Sequence, residues 1–248
     1  MKDQTINIQY FKKINSYNKA YLLGFIAADG AIVQNKNTNT KTLTITIHTK
    51  DVAVLKLLKL ELNSSLSIKD INYKSKSLSS YKLDVNHKRF NTSKKEIIQD
   101  LESYGLTSNK SLTMTNLIVN IPTQYRKAFI LGYFDGDGCF IDSKVVRKRK
   151  YLKKDGSFSE YTGEKYNSHI SIKGTKEFLQ GIVDELQIQS YRIKQIQNQN
   201  IFTLLIVKNS DILKFYDCYN HCDFYLQRKK DKFTRKILQV RTISSPSA

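Results

Sequence analysis

The sequence predicts an α+β fold: two pseudo-symmetric αββαββα repeats whose antiparallel sheets form a saddle, with the helices on the opposite face. Three observations lead there. An eleven-residue segment occurs twice, as Ala20-Tyr21-Leu22-Leu23-Gly24-Phe25-Ile26-Ala27-Ala28-Asp29-Gly30 and as Ala128-Phe129-Ile130-Leu131-Gly132-Tyr133-Phe134-Asp135-Gly136-Asp137-Gly138, the last aspartates lying 108 residues apart. Each copy runs on into the same succession of alternating strands and amphipathic helices. A hydrophobic fraction of 40% in 248 residues is enough to fill a core.

The elements follow in order. Each repeated segment is an apolar helix. After the first, Leu43-Thr44-Ile45-Thr46-Ile47-His48 puts apolar side chains on one face and polar ones on the other, the mark of a half-buried strand, and His169-Ile170-Ser171-Ile172-Lys173 is its counterpart. Helices are expected at Asp51–Leu62, with Val54, Leu55, Leu58 and Leu62 on one stripe, and at Thr175–Leu186, with Phe178, Leu179, Ile182 and Val183. Paired strands come next, near Leu66–Tyr73 with Ser80–Val85 and Tyr191–Gln197 with Phe202–Val207. A closing helix in each repeat, Ser93–Tyr104 and Ser210–Tyr219, opens on a serine suited to cap it. The first repeat is thus 1–110, a join spans 111–124, and the second repeat is 125–248.

Charge indicates the partner. Lys and Arg number 41 against 22 Asp and Glu, a formal net charge of +19. The excess is shared: residues 1–110 hold 18 basic and 9 acidic residues, and residues 111–248 hold 23 and 13. Both halves therefore face one anionic partner, and a nucleic acid backbone, bound through counterion release, fits. No apolar run approaches the roughly 20 residues a bilayer span requires, so no membrane partner is expected. The opening MKDQTINIQYFKK lacks the apolar region of a secretory signal, and three cysteines, Cys139, Cys218 and Cys222, suit no disulfide framework. An intracellular protein is expected, in cytoplasm, nucleoid or an organelle matrix. The run Cys218-Tyr219-Asn220-His221-Cys222 lacks the paired spacing and fourth ligand of a zinc site.

The repeated helix carries small residues four apart, Gly24 with Ala28 and Gly132 with Gly136, hence on one face. Glycine inside a helix costs about 1 kcal/mol relative to alanine, so its presence points to two helices in close contact. Each helix ends in Asp-Gly, the glycine suited to the left-handed residue that stops a helix. A carboxylate at the negative end of the helix dipole is destabilising by a few tenths to about 1 kcal/mol, and a close seam brings two such groups together. Something cationic must offset this. Hard divalent ions take carboxylate oxygens, and between two acids they activate water at a phosphodiester.

These two segments resemble the motif of the LAGLIDADG homing endonucleases in their single-chain, two-repeat form. The second copy, Leu131-Gly132-Tyr133-Phe134-Asp135-Gly136-Asp137-Gly138, is the closer match; the first departs at Ala27, where the motif's earlier acid would stand. The resemblance implies a monomeric endonuclease that hydrolyses both strands of a long, asymmetric double-stranded DNA site and leaves 3′ overhangs, with Mg2+ (or Mn2+) held by Asp29 and Asp137. It also implies one basic residue per repeat near each metal, from the loop after the last helix. Lys110 stands 81 residues beyond Asp29, and Lys229, within Arg228-Lys229-Lys230, stands 92 beyond Asp137. His48 and Lys173 match the strand position that orders solvent around the metals. The same fold serves intron maturases, whose partner is intron RNA, and catalytically silent DNA-binding regulators.

With helices on one sheet face, the other is open to the major groove. Alternate residues there are candidate DNA contacts: Lys69, Asn72, Lys82 and Asp84 in the first repeat, Arg192, Lys194, Gln195 and Gln197 in the second. The dense basic insertion Arg147-Lys148-Arg149-Lys150-Tyr151-Leu152-Lys153-Lys154, expected between strands of the second repeat, is suited to phosphates.

Overall fold

The computed structural model describes residues 6–74, 84–196 and 200–243. The first unit is α1 (Tyr17–Asp29), β1 (Gly30–Gln34), β2 (Lys41–His48), a 3-10 turn, α2 (Val52–Glu61), β3 (Lys69–Lys74), β4 (Asp84–Thr92) and α3 (Lys95–Ser103). A short α4 (Lys110–Thr113) and two 3-10 turns lead to the second unit. That unit is α5 (Arg126–Asp137), β5 (Gly138–Leu152), β6 (Phe158–Gly174), α6 (Lys176–Glu185), β7 (Tyr191–Gln195), β8 (Phe202–Ile206) and α7 (Asn209–Tyr216), followed by α8 (Gln227–Ile243). The αββαββα order is present twice. Two open antiparallel sheets result, in the equivalent orders β1-β2-β4-β3 and β5-β6-β8-β7.

The alternation in the sequence sets which face each sheet buries. In β2, Leu43, Ile45 and Ile47 are buried while Thr44 and Thr46 are half-buried and His48 is exposed. Val54, Leu55 and Leu58 of α2 and Ile97, Ile98 and Leu101 of α3 are buried on the helix side. The second unit repeats this with Ile170, Ile172, Phe178, Leu179 and Ile182. Ile6, Tyr10, Phe11 and Ile14, ahead of α1, join the core, and Tyr10 donates to Glu61 Oε2 at 2.7 Å.

Several expectations are corrected. The strand read at Ser80–Val85 is β4, Asp84–Thr92, because its apolar anchor is the fully buried Phe90 opposite Ile45. Neither Ser93 nor Ser210 caps a helix: the caps are Lys94 and Lys208, Ser93 bonds Thr42 instead, and Ser210 lies inside α7. Serine caps do act elsewhere, Ser16 accepting from Lys19 N at the start of α1. The closing helix of the second repeat stops at Tyr216, and α8 after it went unread because its mean hydropathy is polar. The basic run is no insertion between strands: Arg147 to Leu152 belong to β5 itself, and Lys153 and Lys154 begin its turn. Lys82 and Gln197 lie outside the described residues. Among the described residues no helix is long and apolar enough to cross a membrane.

The seam between the units is α1 against α5. A Cβ built on Gly24 would stand 2.0 Å from Phe129 O, and one on Gly132 would stand 1.9 Å from Tyr21 O. At the lower end, a Cβ on Gly136 would meet the Ala28 Cβ at 2.4 Å and Asp29 Oδ2 at 3.2 Å. The four small residues are the reason two backbones can touch along the whole motif.

Candidate active site

Asp29 and Asp137 are the last residues of α1 and α5, and the close seam brings both to one place. Asp29 is half-buried and Asp137 exposed. The glycines that follow are not left-handed, as expected, but extended, with φ −77° at Gly30 and −96° at Gly138. They are required by crowding. A Cβ on Gly138 would sit 2.0 Å from the Phe134 ring, and one on Gly30 2.6 Å from Ile26 O. The chain leaves each helix directly into a strand, pressed against the turn it has just left.

Two buried lysines meet the negative helix ends. Lys110 Nζ donates to Ala27 O at 2.6 Å and Ala28 O at 2.7 Å. Lys229 Nζ donates to Phe134 O and Asp135 O, both at 2.7 Å, and to Gly138 O at 2.8 Å. Neither comes from a loop: Lys110 is the first residue of α4 and Lys229 lies in the first turn of α8. Of the run 228–230, Lys229 is the residue at the seam, while Lys230 donates to Tyr225 Oη and Arg228 turns to Asp51. Carbonyls and aspartates there are thus already faced by cations, one per repeat.

The electrostatics cross between repeats. Burial pushes Asp29 up to about 6, repulsion from Asp137 adds to it, and Lys229, then Lys110, hold it down. Asp137, though the residue as a whole is exposed, is raised too by desolvation of its carboxyl at the seam, opposed first by Lys110, then by Lys229 and Lys173. Each aspartate therefore feels most the lysine that caps the other helix. Burial lowers both lysines, Lys229 to about 8, and the carboxylates resist that. Two acids so placed titrate as a pair.

Lys173 is within reach of Asp137, but His48 is not its counterpart. Gly30 pairs with Ile45 and Gly138 with Ile172, so Lys173 corresponds to Thr46. His48 lies two residues further on, where its Nδ1 accepts from Lys50 N at 3.1 Å. Across each sheet the equivalent rungs are Thr46, Arg89, Lys69 and Lys173, Thr203, Lys194. The cation beside the site has changed strands: Arg89 Nε donates to Thr46 Oγ1 at 2.9 Å where Lys173 faces Thr203.

On the open faces, Lys69, Arg192 and Lys194 hold the groove-side register. Backbone pairing sets Asn72 and Asp84 in step with Phe90, and Gln195 in step with Ile193 and Leu204, all on the helix-side register. Those three candidates are misplaced by the one-residue uncertainty that flips a strand. Arg147 and Arg149 fall on the groove side of the long β5, and Lys148 and Lys150 on the other, where Lys150 pairs with Glu160 at 2.8 Å.

The sequence reading missed the supports of Lys229. Asp135, buried, accepts at Oδ2 from Tyr21 Oη at 2.7 Å and from Leu226 N at 2.8 Å, tying α1 to the entry of α8. Burial pushes it up to about 6. Ala27 holds the equivalent place in α1, so this tie exists on one side. Arg228 forks onto Asp51 at 2.6 and 2.5 Å, joining residues 177 apart. Phe233, one turn beyond Lys229, stacks on Phe140 at 4.2 Å and packs edge-on to Phe134. No local pattern marks these contacts.

The LAGLIDADG endonuclease family profile matches residues 22–119. No curated protein matches the sequence. Solved structures do resemble the fold. The homing endonuclease I-WcaI bound to its DNA recognition sequence has TM-score 0.57 and 17% identity, covering 90% of each chain. The LAGLIDADG meganuclease I-AabMI bound to uncleaved DNA has TM-score 0.58 and 17% identity, over 92% of this chain and 93% of that one. The chain has the two-repeat fold of these structures, and its first repeat matches the LAGLIDADG endonuclease profile. I-SmaMI bound to an uncleaved DNA target in the presence of calcium ions has TM-score 0.58 and 16% identity, over 94% and 95%. At such identities these neighbours establish the fold alone.

The donor set fits a hard divalent ion. Among the described residues no group of three or more His, Cys, Asp or Glu could hold a metal. Asp29 and Asp137 supply two carboxylates whose charged forms desolvation disfavours despite the facing lysines, with repulsion from Asp137 adding to this at Asp29. Magnesium suits such a pair, since it binds through one or two carboxylates and takes its other ligands from water and phosphate.

Proposed function

We propose that this protein is a monomeric, site-specific DNA endonuclease that hydrolyses one phosphodiester in each strand of a long, asymmetric duplex, across the minor groove, leaving 3′ overhangs. The observation that carries this reading is the convergence of Asp29, Asp137, Lys110 and Lys229 at one seam under two polar sheets in a chain of net charge +19. Asp29 and Asp137 would hold Mg2+ or Mn2+, which when bound supplies an activated water and stabilises the leaving oxygen. Lys110 and Lys229, anchored on main-chain carbonyls, keep positive potential where charge grows on the scissile phosphates. Lys173 adds to this on the Asp137 side. The sheets position the duplex through phosphate and base contacts.

Selection of cleaved sites from a random duplex library, with Mg2+ in one arm and Ca2+ in the other, tests the reading. A defined cut product with Mg2+ is expected. Asp137→Asn should abolish cleavage and leave binding to the selected site within a few fold. A purely RNA-binding maturase or a silent regulator yields no cut duplex, and persistent cleavage by the variant overturns the metal assignment.

A further inference from the structure

The two units differ most in their first hairpin. β1 has 5 residues and β5 has 15, so the second hairpin is ten residues longer on that strand, about 33 Å of extra reach at 3.3 Å per residue. In the first unit pairing ends at Gln34↔Lys41, in the second at Leu152↔Phe158. β8 pairs with β6 only from Ile170 to Gly174, so among the described residues the outer part of β6 has β5 as its sole sheet neighbour.

An isolated two-stranded ribbon is marginal in water. This one also leaves Tyr151, Leu152, Phe158 and Tyr161 each more than half exposed. The composition of the extension answers what it rests on: residues 143–167 contain eight basic and three acidic residues. The register shows which side rests. β5 and β6 pair from Gly138↔Ile172 outward without a bulge, with Phe140, Ile170 and Ile172 buried on the helix side. Arg147, Arg149, Tyr151 and Tyr161 therefore continue the open face of the saddle.

We propose that this β5–β6 arm is a one-sided duplex-DNA contact that makes the second half-site longer than the first, extending recognition along the groove by several base pairs on that flank alone. The inference rests on the endonuclease reading. A two-stranded ribbon fits a major groove, and an arm of about 33 Å spans roughly ten base-pair steps at most. The first hairpin has no equivalent reach.

The test is hydroxyl-radical footprinting in Ca2+ on the selected duplex. It compares the native chain with one in which residues 147–163 are replaced by Asn-Gly, closing the Val146↔Glu164 pair with a two-residue turn. Native protection should run several base pairs further on one flank. The shortened chain should lose that excess, keep the other flank, and bind about tenfold or more weakly at physiological salt. Arg147→Ala/Arg149→Ala, which leaves the arm intact, should lower the salt slope by about 0.9 for each phosphate no longer neutralised. This second variant decides the matter if the shortened chain does not fold. Equal native flanks, an excess that survives shortening, or an unchanged slope and affinity in the double variant would overturn the proposal. Absence of protection on both flanks would instead overturn the endonuclease reading beneath it.

Discussion

Replacing Gly132 by alanine tests the seam most directly. The added methyl would sit 1.9 Å from Tyr21 O, 2.8 Å from Tyr21 C and 3.0 Å from Phe25 N, all backbone atoms of the facing helix. A carbon bearing hydrogen approaches a carbonyl oxygen no closer than about 3.3 Å, so α1 and α5 must separate by about 1.4 Å at this point. No rotamer change can relieve a backbone clash. Overpacking costs about 1 to 3 kcal/mol and more when backbone must move, whereas alanine returns up to about 1 kcal/mol of helix propensity. The net loss should be about 2 kcal/mol or more, a fall in Tm of about 4 to 8 °C for a chain of this size. Urea unfolding followed by circular dichroism measures it. A midpoint equal to or above that of the native chain would refute the close-contact argument. In the same variant Asp29 and Asp137 should move apart, since they end the two helices.

Three further expectations concern charge. Asp29 titrates near 6 when folded against 3.8 when free, so between pH 4 and 6 the folded chain binds more protons there and stability falls as pH rises. Asp29→Asn should therefore raise the unfolding free energy at pH 7.5 by on the order of 3 kcal/mol and leave it nearly unchanged below pH 4; equal effects at both would contradict the assignment. Lys229 titrates near 8 against 10.5 when free, so the unfolded chain binds more protons between those values and stability gains from pH 8 to 10.5. Lys229→Met should flatten that rise, and a native profile already flat there would count against a buried ammonium. Arg228→Ala strands the carboxylate of Asp51 and should cost about 1 to 3 kcal/mol, the pair being partly exposed. Adding Asp51→Ala should recover part of the loss, and strict additivity of the two changes would show that the fork contributes nothing.

The repeat, the order of elements and the two acids were legible in residue order alone, because they are written in local signals: period two in Leu43 to His48, small residues four apart in the motif helices, and a duplicated Asp-Gly. The two lysines were proposed only through the family resemblance, which implies one basic residue per repeat after the last helix. Register was misread where a strand's anchor was distant, as with Asn72, Asp84 and Gln195, and His48 was paired with Lys173 because a loop of different length precedes the helix in each unit. Packing across the molecule settled the rest: that the helix-ending glycines answer crowding, that Asp29 and Asp137 are each held down most by the lysine of the other repeat, and that Tyr21, Asp135, Asp51 and Arg228 lock α8 in place. Those contacts join residues up to 177 positions apart. Such pairings depend on where two packed surfaces meet, and no periodicity along one chain segment carries that information.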